Sequence, residues 1–244
     1  MIYYNNSMRY FKESLIRLLY PAHCEFCGKP LALDENLLCE TCEQNLEGLA
    51  YPLEKSLVDE QFENLDHAWA VYAYVTPLRE LLQAVKYRRK DYLLKTFKNP
   101  VAKLATSIAS ECVYNALIPI PLNRVKRIQR QFNQSQILAD LLQPFFKLPI
   151  WSNLLKKKYF IPSQTSMTRE ERVINIYGVF KVSSTKQTEG KSFLLVDDVL
   201  TTGATASEAA RTLKKAGAKR VDLFALAKTN LPIKKEKSSS DEHP

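Results

Sequence analysis

Apolar positions along the chain change period several times, and each change predicts an element. Residues 67–75, "HAWAVYAYV", are aromatic and β-branched with few polar breaks and predict a strand. Behind Pro77, Leu78, Leu81, Leu82 and Val85 recur at the spacing of one helix face, and the basic turn "KYRRKD" follows them. Val101, Leu104, Ala105 and Ile108 predict a second helix, and "ALIPIPL" (116–122) predicts a buried strand running into a loop. "NRVKRIQRQFN" is read as that loop and "QSQILADLLQPFF" as the helix after it. Further on, "GVFKVS" and "SFLLVDDV" read as strands, 205–216 as a helix and "RVDLFALAK" as a last strand. Strands alternating with helices predict an α/β fold built on a mostly parallel, doubly wound sheet.

The flanks read differently. Phe11, Leu15, Leu18 and Leu19 predict a short amphipathic helix before Pro21, read as packing on its neighbour rather than anchoring in a membrane. A polar connector runs through Asn64, and "KKEKSSSDEHP" reads as a solvated, disordered end. The organisation expected is therefore 1–20 helix, 21–50 cysteine module, 51–230 α/β domain and 231–244 tail. No stretch approaches the roughly 20 apolar residues of a membrane span, so the reading is cytoplasmic. With 244 residues, 45% of them apolar, a sizeable core is affordable. The charge changes the picture more: 35 Lys and Arg against 26 Asp and Glu give +9, which favours polyanionic partners, nucleic acid or small phosphates alike.

Four of the five cysteines form two Cys-x-x-Cys pairs, Cys24/Cys27 and Cys39/Cys42, separated by eleven residues. That spacing suits two knuckles closing on one tetrahedral Zn²⁺, with Gly28 supplying the tight turn after the first. A closed site of four thiolates keeps no open position, so the metal's role is structural rather than catalytic. His23 beside the first ligand is read as a bystander, and Cys112, in an apolar helical pattern, as core.

"LLVDDVLTTGAT" (194–205) carries the remaining chemistry. Asp197 and Asp198 fall at the carboxyl end of a buried run, where open α/β sheets bind ligands. Thr205 and Glu208 have the spacing of a capping box, which places a helix start just behind the turn. Its backbone amides, with the hydroxyls of Thr201, Thr202 and Thr205, suit a phosphate, and Gly203 lets the backbone approach closely. Ionised carboxylates repel phosphate, so the acids face something else: a ribose diol, or Mg²⁺ riding on a pyrophosphate. Together these point to a sugar phosphate with free hydroxyls.

This segment resembles the phosphoribosyl-pyrophosphate (PRPP) motif of type I phosphoribosyltransferases. With the four-cysteine module, "IPIPLNRVKRIQRQFNQ" and "SQTSMTREERVINIYGVF" in the same order, nearly the whole chain is similar to the ComF family of late competence proteins. The resemblance implies a phosphoribosyltransferase-like sheet behind a small zinc module, with Asp197, Asp198, Thr201, Thr202, Gly203, Ala204 and Thr205 binding PRPP. It implies pyrophosphate contacts from Arg127 and Arg130, and Arg169 and Arg172 on a flexible hood stabilising the leaving diphosphate with Mg²⁺. Gln131 departs from the pattern, which has glycine there, and Arg88, Arg89 and Lys90 occupy ground where glycine is common. The implied function is help with DNA uptake in natural transformation, with PRPP or a related nucleotide, single-stranded DNA and a DNA-translocating helicase as partners, at the membrane's uptake machinery. The alternative is an active phosphoribosyltransferase of nucleotide salvage with a structural zinc module. A third is a zinc-dependent binding module whose site is vestigial.

Overall fold

The structure, a computed structural model, describes residues 20–51, 62, 64–158 and 177–229. The expected 8–20 helix, most of the connector, the hood and the tail lie outside the described residues. In chain order the elements are α1 (Glu40–Glu47), β1 (Ala68–Ala73), α2 (Leu78–Arg88), a 3₁₀ stretch Asp91–Phe97, α3 (Lys98–Glu111) and β2 (Ala116–Pro119). There follow α4 (Arg124–Arg130), α5 (Gln134–Phe146), β3 (Leu155–Lys157), β4 (Phe180–Val182), β5 (Ser192–Leu200), α6 (Ala204–Lys215) and β6 (Arg220–Lys228).

Strands β1, β6, β5 and β2 lie side by side in that order, all parallel, with Val196 opposite Phe224 and Pro119 opposite Val196. Each strand is apolar on both sides because both sheet faces are covered. Leu194 and Val196 of β5 join Trp69, Leu117 and Phe224 under α2, α3 and α5, and the cysteine module adds Leu38 and Leu46 to this face. Phe193 and Leu195, with Ile118, Leu223 and Ala225, face α6, whose Ala206, Ala209, Ala210 and Leu213 form its apolar side. The antiparallel pair β3–β4 packs on the same side through Leu155 and Phe180.

The expected elements occur, with two corrections. The segment read as a loop after β2 contains α4: Asn123 Oδ1 accepts the Lys126 amide at 2.7 Å, and the Arg, Lys and Gln residues that follow are good helix formers. Polar composition hid this helix because it buries none of its residues. The Thr205/Glu208 capping box does not form either. The helix begins one residue earlier, behind Gly203 at φ +75°, and Glu208 is buried against other partners. It accepts the Gly178 amide at 2.7 Å and two bonds from Arg211 at 2.6 and 2.7 Å, a forked pairing that satisfies the buried carboxylate better than one helix-end amide.

At the amino-terminal edge of the sheet a polar cluster crosses three strands. Asp222 is fully buried and accepts from Tyr114 Oη and from Arg220 Nε at 2.8 Å, while His67 Nδ1 stands 3.7 Å away. Arg220 also donates to the Cys112 sulfur at 3.2 Å, so that buried thiol is part of this cluster. Removing the acid leaves a guanidinium and a phenol without their acceptor in the interior. Asp222→Ala is therefore expected to cost roughly 3 kcal/mol in urea unfolding, at unchanged zinc content.

Candidate functional site

The site begins with the local conformation of β5. Pairing with β6 continues through Leu200, so Asp197 and Asp198 lie inside the last third of the strand, at the sheet's centre. Side chains alternate along a strand, which puts Asp198 on the side of Leu194 and Val196. There α2 supplies Lys86, whose Nζ lies 2.7 Å from Asp198 Oδ2, both side chains largely shielded from solvent. Asp197 Oδ1 accepts from Ser135 Oγ at 3.1 Å, at the start of α5, and from the Asp198 amide at 2.9 Å. Burial, and after it the Asp198 charge, push the Asp197 carboxyl up to about 7. One acid is thus paired with a lysine while burial raises the carboxyl of its neighbour.

Behind the acids the chain turns through Thr201, Thr202 and Gly203 into α6. Ala204 N–H approaches Thr202 Oγ1 at 3.4 Å, and the Gly203 carbonyl starts the helix by accepting from Ser207 at 2.8 Å. The amides of Thr202, Gly203 and Thr205 have no acceptor among the described residues, as the first turn of a helix dictates. Gly203 is required for two reasons: its φ is +75°, and a Cβ there would meet the Phe62 ring at 1.9 Å. The close neighbour that forbids a side chain is thus an aromatic ring from the connector, where the sequence suggested only a phosphate.

Arg130 and Arg127 lie one turn apart on α4. Arg130 lies 5.7 Å from the centre of the Tyr87 ring and donates to Gln134 Oε1 at 3.3 Å, so its contacts are the sequence neighbours of Lys86 and Ser135. Arg127 lines a groove along the helix. Gln134 Nε2 is buried without an acceptor among the described residues, a donor left over on the acid side. Phe132 packs into the core, whereas Tyr87 is 76% exposed. Gln131 and Arg89 hold left-handed conformations, φ +66° and +55°, where glycine fits without strain. Arg169 and Arg172 lie outside the described residues.

Lys86 and Ser135 were not singled out from the sequence. Lys86 opens the basic stretch read as a turn, but the helix runs on through Arg88, and the packing of α2 on β5 aims Lys86 at an acid. Ser135 offered no signal beyond its place at a helix start, with Asn133 capping through the Ser135 amide at 3.2 Å.

The four cysteine sulfurs lie within 4.8 Å of one another, with Cys27 and Cys39 at 3.6 Å. Tetrahedral zinc at about 2.3 Å from each sulfur requires sulfurs about 3.8 Å apart, so the cluster fits that ion. Burial opposes ionisation of Cys24, but backbone amides of Cys27, Cys39 and Phe26 outweigh it and lower its thiol to about 7. Burial and the neighbouring sulfurs push Cys42 up, so the cluster ionises fully only around a cation. Cys39 caps α1 and Cys42 lies in its first turn, at the positive end of the helix. Gly28 takes φ +73° behind the first knuckle, and the exposed His23 is outside the cluster. Between the first two ligands, Glu25 pairs with Lys90 and accepts from Tyr92 Oη, joining the knuckle to the segment that follows Lys86.

Residues 135–242 match the phosphoribosyl transferase domain. Competence protein F of Haemophilus influenzae is 24% identical over 221 residues, covering 84% of this chain and 96% of that protein. Competence protein ComFC of Bacillus subtilis is 28% identical over 84% of this chain and 78% of its own. DNA utilization protein YhgH of Escherichia coli is 24% identical over 87% of this chain and 99% of its own. Over most of its length the chain is similar to these competence and DNA utilization proteins. Its parallel sheet with flanking helices is of the phosphoribosyltransferase kind, behind a four-cysteine module able to hold a metal. Among the described residues no helix is long and apolar enough to cross a membrane.

Two outcomes follow from this geometry. Metal analysis is expected to find one zinc per chain, and a strong chelator to unfold residues 21–50, since such sites contribute roughly 10–16 kcal/mol in small peptides. Gln131→Gly is expected to raise stability by about 0.5–1 kcal/mol in denaturant unfolding, as relief of the left-handed strain exceeds the entropy of glycine.

Proposed function

We propose that this chain is a ComF-type protein that assists the uptake or use of DNA, and that its phosphoribosyltransferase-fold site binds PRPP or a related nucleotide with Mg²⁺. The observation that carries the reading is the juxtaposition of two aspartates with a turn of unclaimed amides at a helix start. In this reading the amides and hydroxyls of Thr201 to Thr205 take the 5-phosphate, favoured by the positive end of α6. Asp197 and Asp198 accept the ribose hydroxyls, which an ionised carboxylate does without offering a competing donor. Mg²⁺, when bound with the diphosphate, would neutralise part of its charge.

Lys86 has a specific place in this scheme. Paired with Asp198 in the ligand-free chain, its ammonium lies where a diphosphate at the anomeric carbon brings new negative charge, and Arg130 stands beside it across Tyr87. Arriving ligand exchanges one anion for another around the lysine, so no buried charge is left unmatched. Arg169 and Arg172 are assigned to the leaving diphosphate from sequence. If an acceptor attacks the anomeric carbon as pyrophosphate departs, the chain is a transferase; if none does, it is a nucleotide-sensing partner of the DNA machinery. The relatives' names, competence and DNA utilization, favour the second, with single-stranded DNA and a DNA-translocating helicase as its partners.

PRPP with Mg²⁺ is expected to raise the Tm of the parent chain by several degrees and to leave an Asp197→Asn, Asp198→Asn variant unmoved; no shift in the parent overturns ligand binding. Release of pyrophosphate with a purine, pyrimidine or amine acceptor would identify a transferase. The Asp197 carboxyl, raised to about 7, also sets a sign. It is protonated in the folded chain and ionised in the unfolded chain between pH about 4 and about 7, so ligand-free stability falls across that window. Ligand affinity rises through the same window as the acceptor form is populated. Asp197→Asn is expected to flatten both profiles.

A further inference from the structure

Along α4 lies a groove of about 760 Å³, walled by α4 and by residues 152–158. Arg124, Lys126, Arg127, Lys156, Lys157 and Lys158 line it, and no carboxylate among the described residues does. Four cations within the seven residues of α4, spaced three and four apart, repel along one short helix. Across the antiparallel pair β3–β4, Lys156 stands directly opposite Lys181, again like against like. Lys157 lies 5.3 Å from the Phe180 ring centre, and burial, then the charge of Lys126, lower its pKa against the opposing charge of Asp197, so the groove opens within electrostatic reach of the acid pair. The helix contributes nothing to the core, yet it holds Val125 and Ile128 on the groove at 58% and 66% exposure.

We propose that this groove is the track for a single strand of nucleic acid, whose phosphates lie between the cations of α4 and β3 while sugar and base edges rest on Val125 and Ile128. Size separates this occupant from the small-molecule ligand. A helix of seven residues is about 10 Å long, and a stacked strand advances about 3.4 Å per nucleotide, so about three phosphates pass along the wall. A lone diphosphate is too short to meet lysines on both walls of the groove, Lys126 on one and Lys156 and Lys158 on the other. A duplex carries its charge around a rigid cylinder about 20 Å across by general geometry, too broad for a cleft of this volume, whereas a single strand enters it. The assignment rests on the reading of the chain as a DNA-handling protein.

The test is fluorescence anisotropy of a labelled oligothymidylate with the full zinc-loaded chain over a range of salt. The parent is expected to bind with a negative log–log salt slope. Lys126→Gln, Arg127→Gln, Lys156→Gln and Lys157→Gln combined are expected to weaken binding at least tenfold and to flatten the slope by about 2, at roughly 0.7 per lost phosphate contact. Lys98→Gln with Lys103→Gln, exposed on α3, should leave both unchanged. Circular dichroism, the urea-unfolding midpoint and the zinc content report whether the groove variant is folded, and the single Lys126→Glu replaces it if it is not. Unaltered affinity and slope in the groove variants overturn the groove while leaving the DNA reading in place. Absence of binding by the parent overturns that reading itself. Equal affinity for inorganic polyphosphate of matched charge overturns nucleic acid as the occupant.

Discussion

Two carboxylates on consecutive residues of a buried central strand repel each other and have lost most of their water, and the ligand end is arranged around that cost. One acid is matched by Lys86 across 2.7 Å; the other is eased by Ser135 and retains its proton up to about pH 7. Both helpers come from helices, α2 and α5, that pack on the same sheet face, so the side-chain register of that face decides whether the acids are tolerated. In the proposed function, a ligand with a diol and a diphosphate would replace each of these partners with a stronger one.

The cysteine module is tied into this arrangement as well as into the core. Leu38 and Leu46 share the packing of α2 and α3, and Glu25, between two metal ligands, holds Lys90 and Tyr92 just beyond the end of α2. The helix that carries Lys86 is thus anchored by apolar burial along its length and by an ion pair at its carboxyl end. A structural metal here stabilises more than its own knuckles, because the loop it orders closes against the helix that steadies the acid pair.

Basic residues are used in two distinct ways. Arg211, Arg220 and Lys86 are matched to buried acids and hold elements together, whereas the cations of α4 and β3 face one another across an open groove. The first kind is consumed by folding. The second gathers like charges along one groove, and in the proposed reading it is this local concentration, rather than the net charge of +9, that would give a polyanion a definite place to lie.

From the chain alone the strands of the parallel sheet, β4 and most helices were legible, since burial on both faces imposes apolar runs on β5 and β6 and a three-to-four spacing on α2, whereas β3 and α1 were not read. The cysteine cluster was equally plain, because four ligands within one short segment depend on local geometry. The Asp197/Asp198 turn was recognisable for the same reason. Three things required the tertiary structure. Helix α4 buries nothing and so leaves no apolar period, Glu208 abandons its capping distance for Arg211 and the Gly178 amide, and Phe62 takes the space beside Gly203. Lys86 and Asp198 lie more than a hundred positions apart, and only the packing of α2 against β5 brings them together. Local periodicity and spacing settled which groups were available; long-range packing decided which of them meet, because a side chain's partner is chosen by the face its element buries.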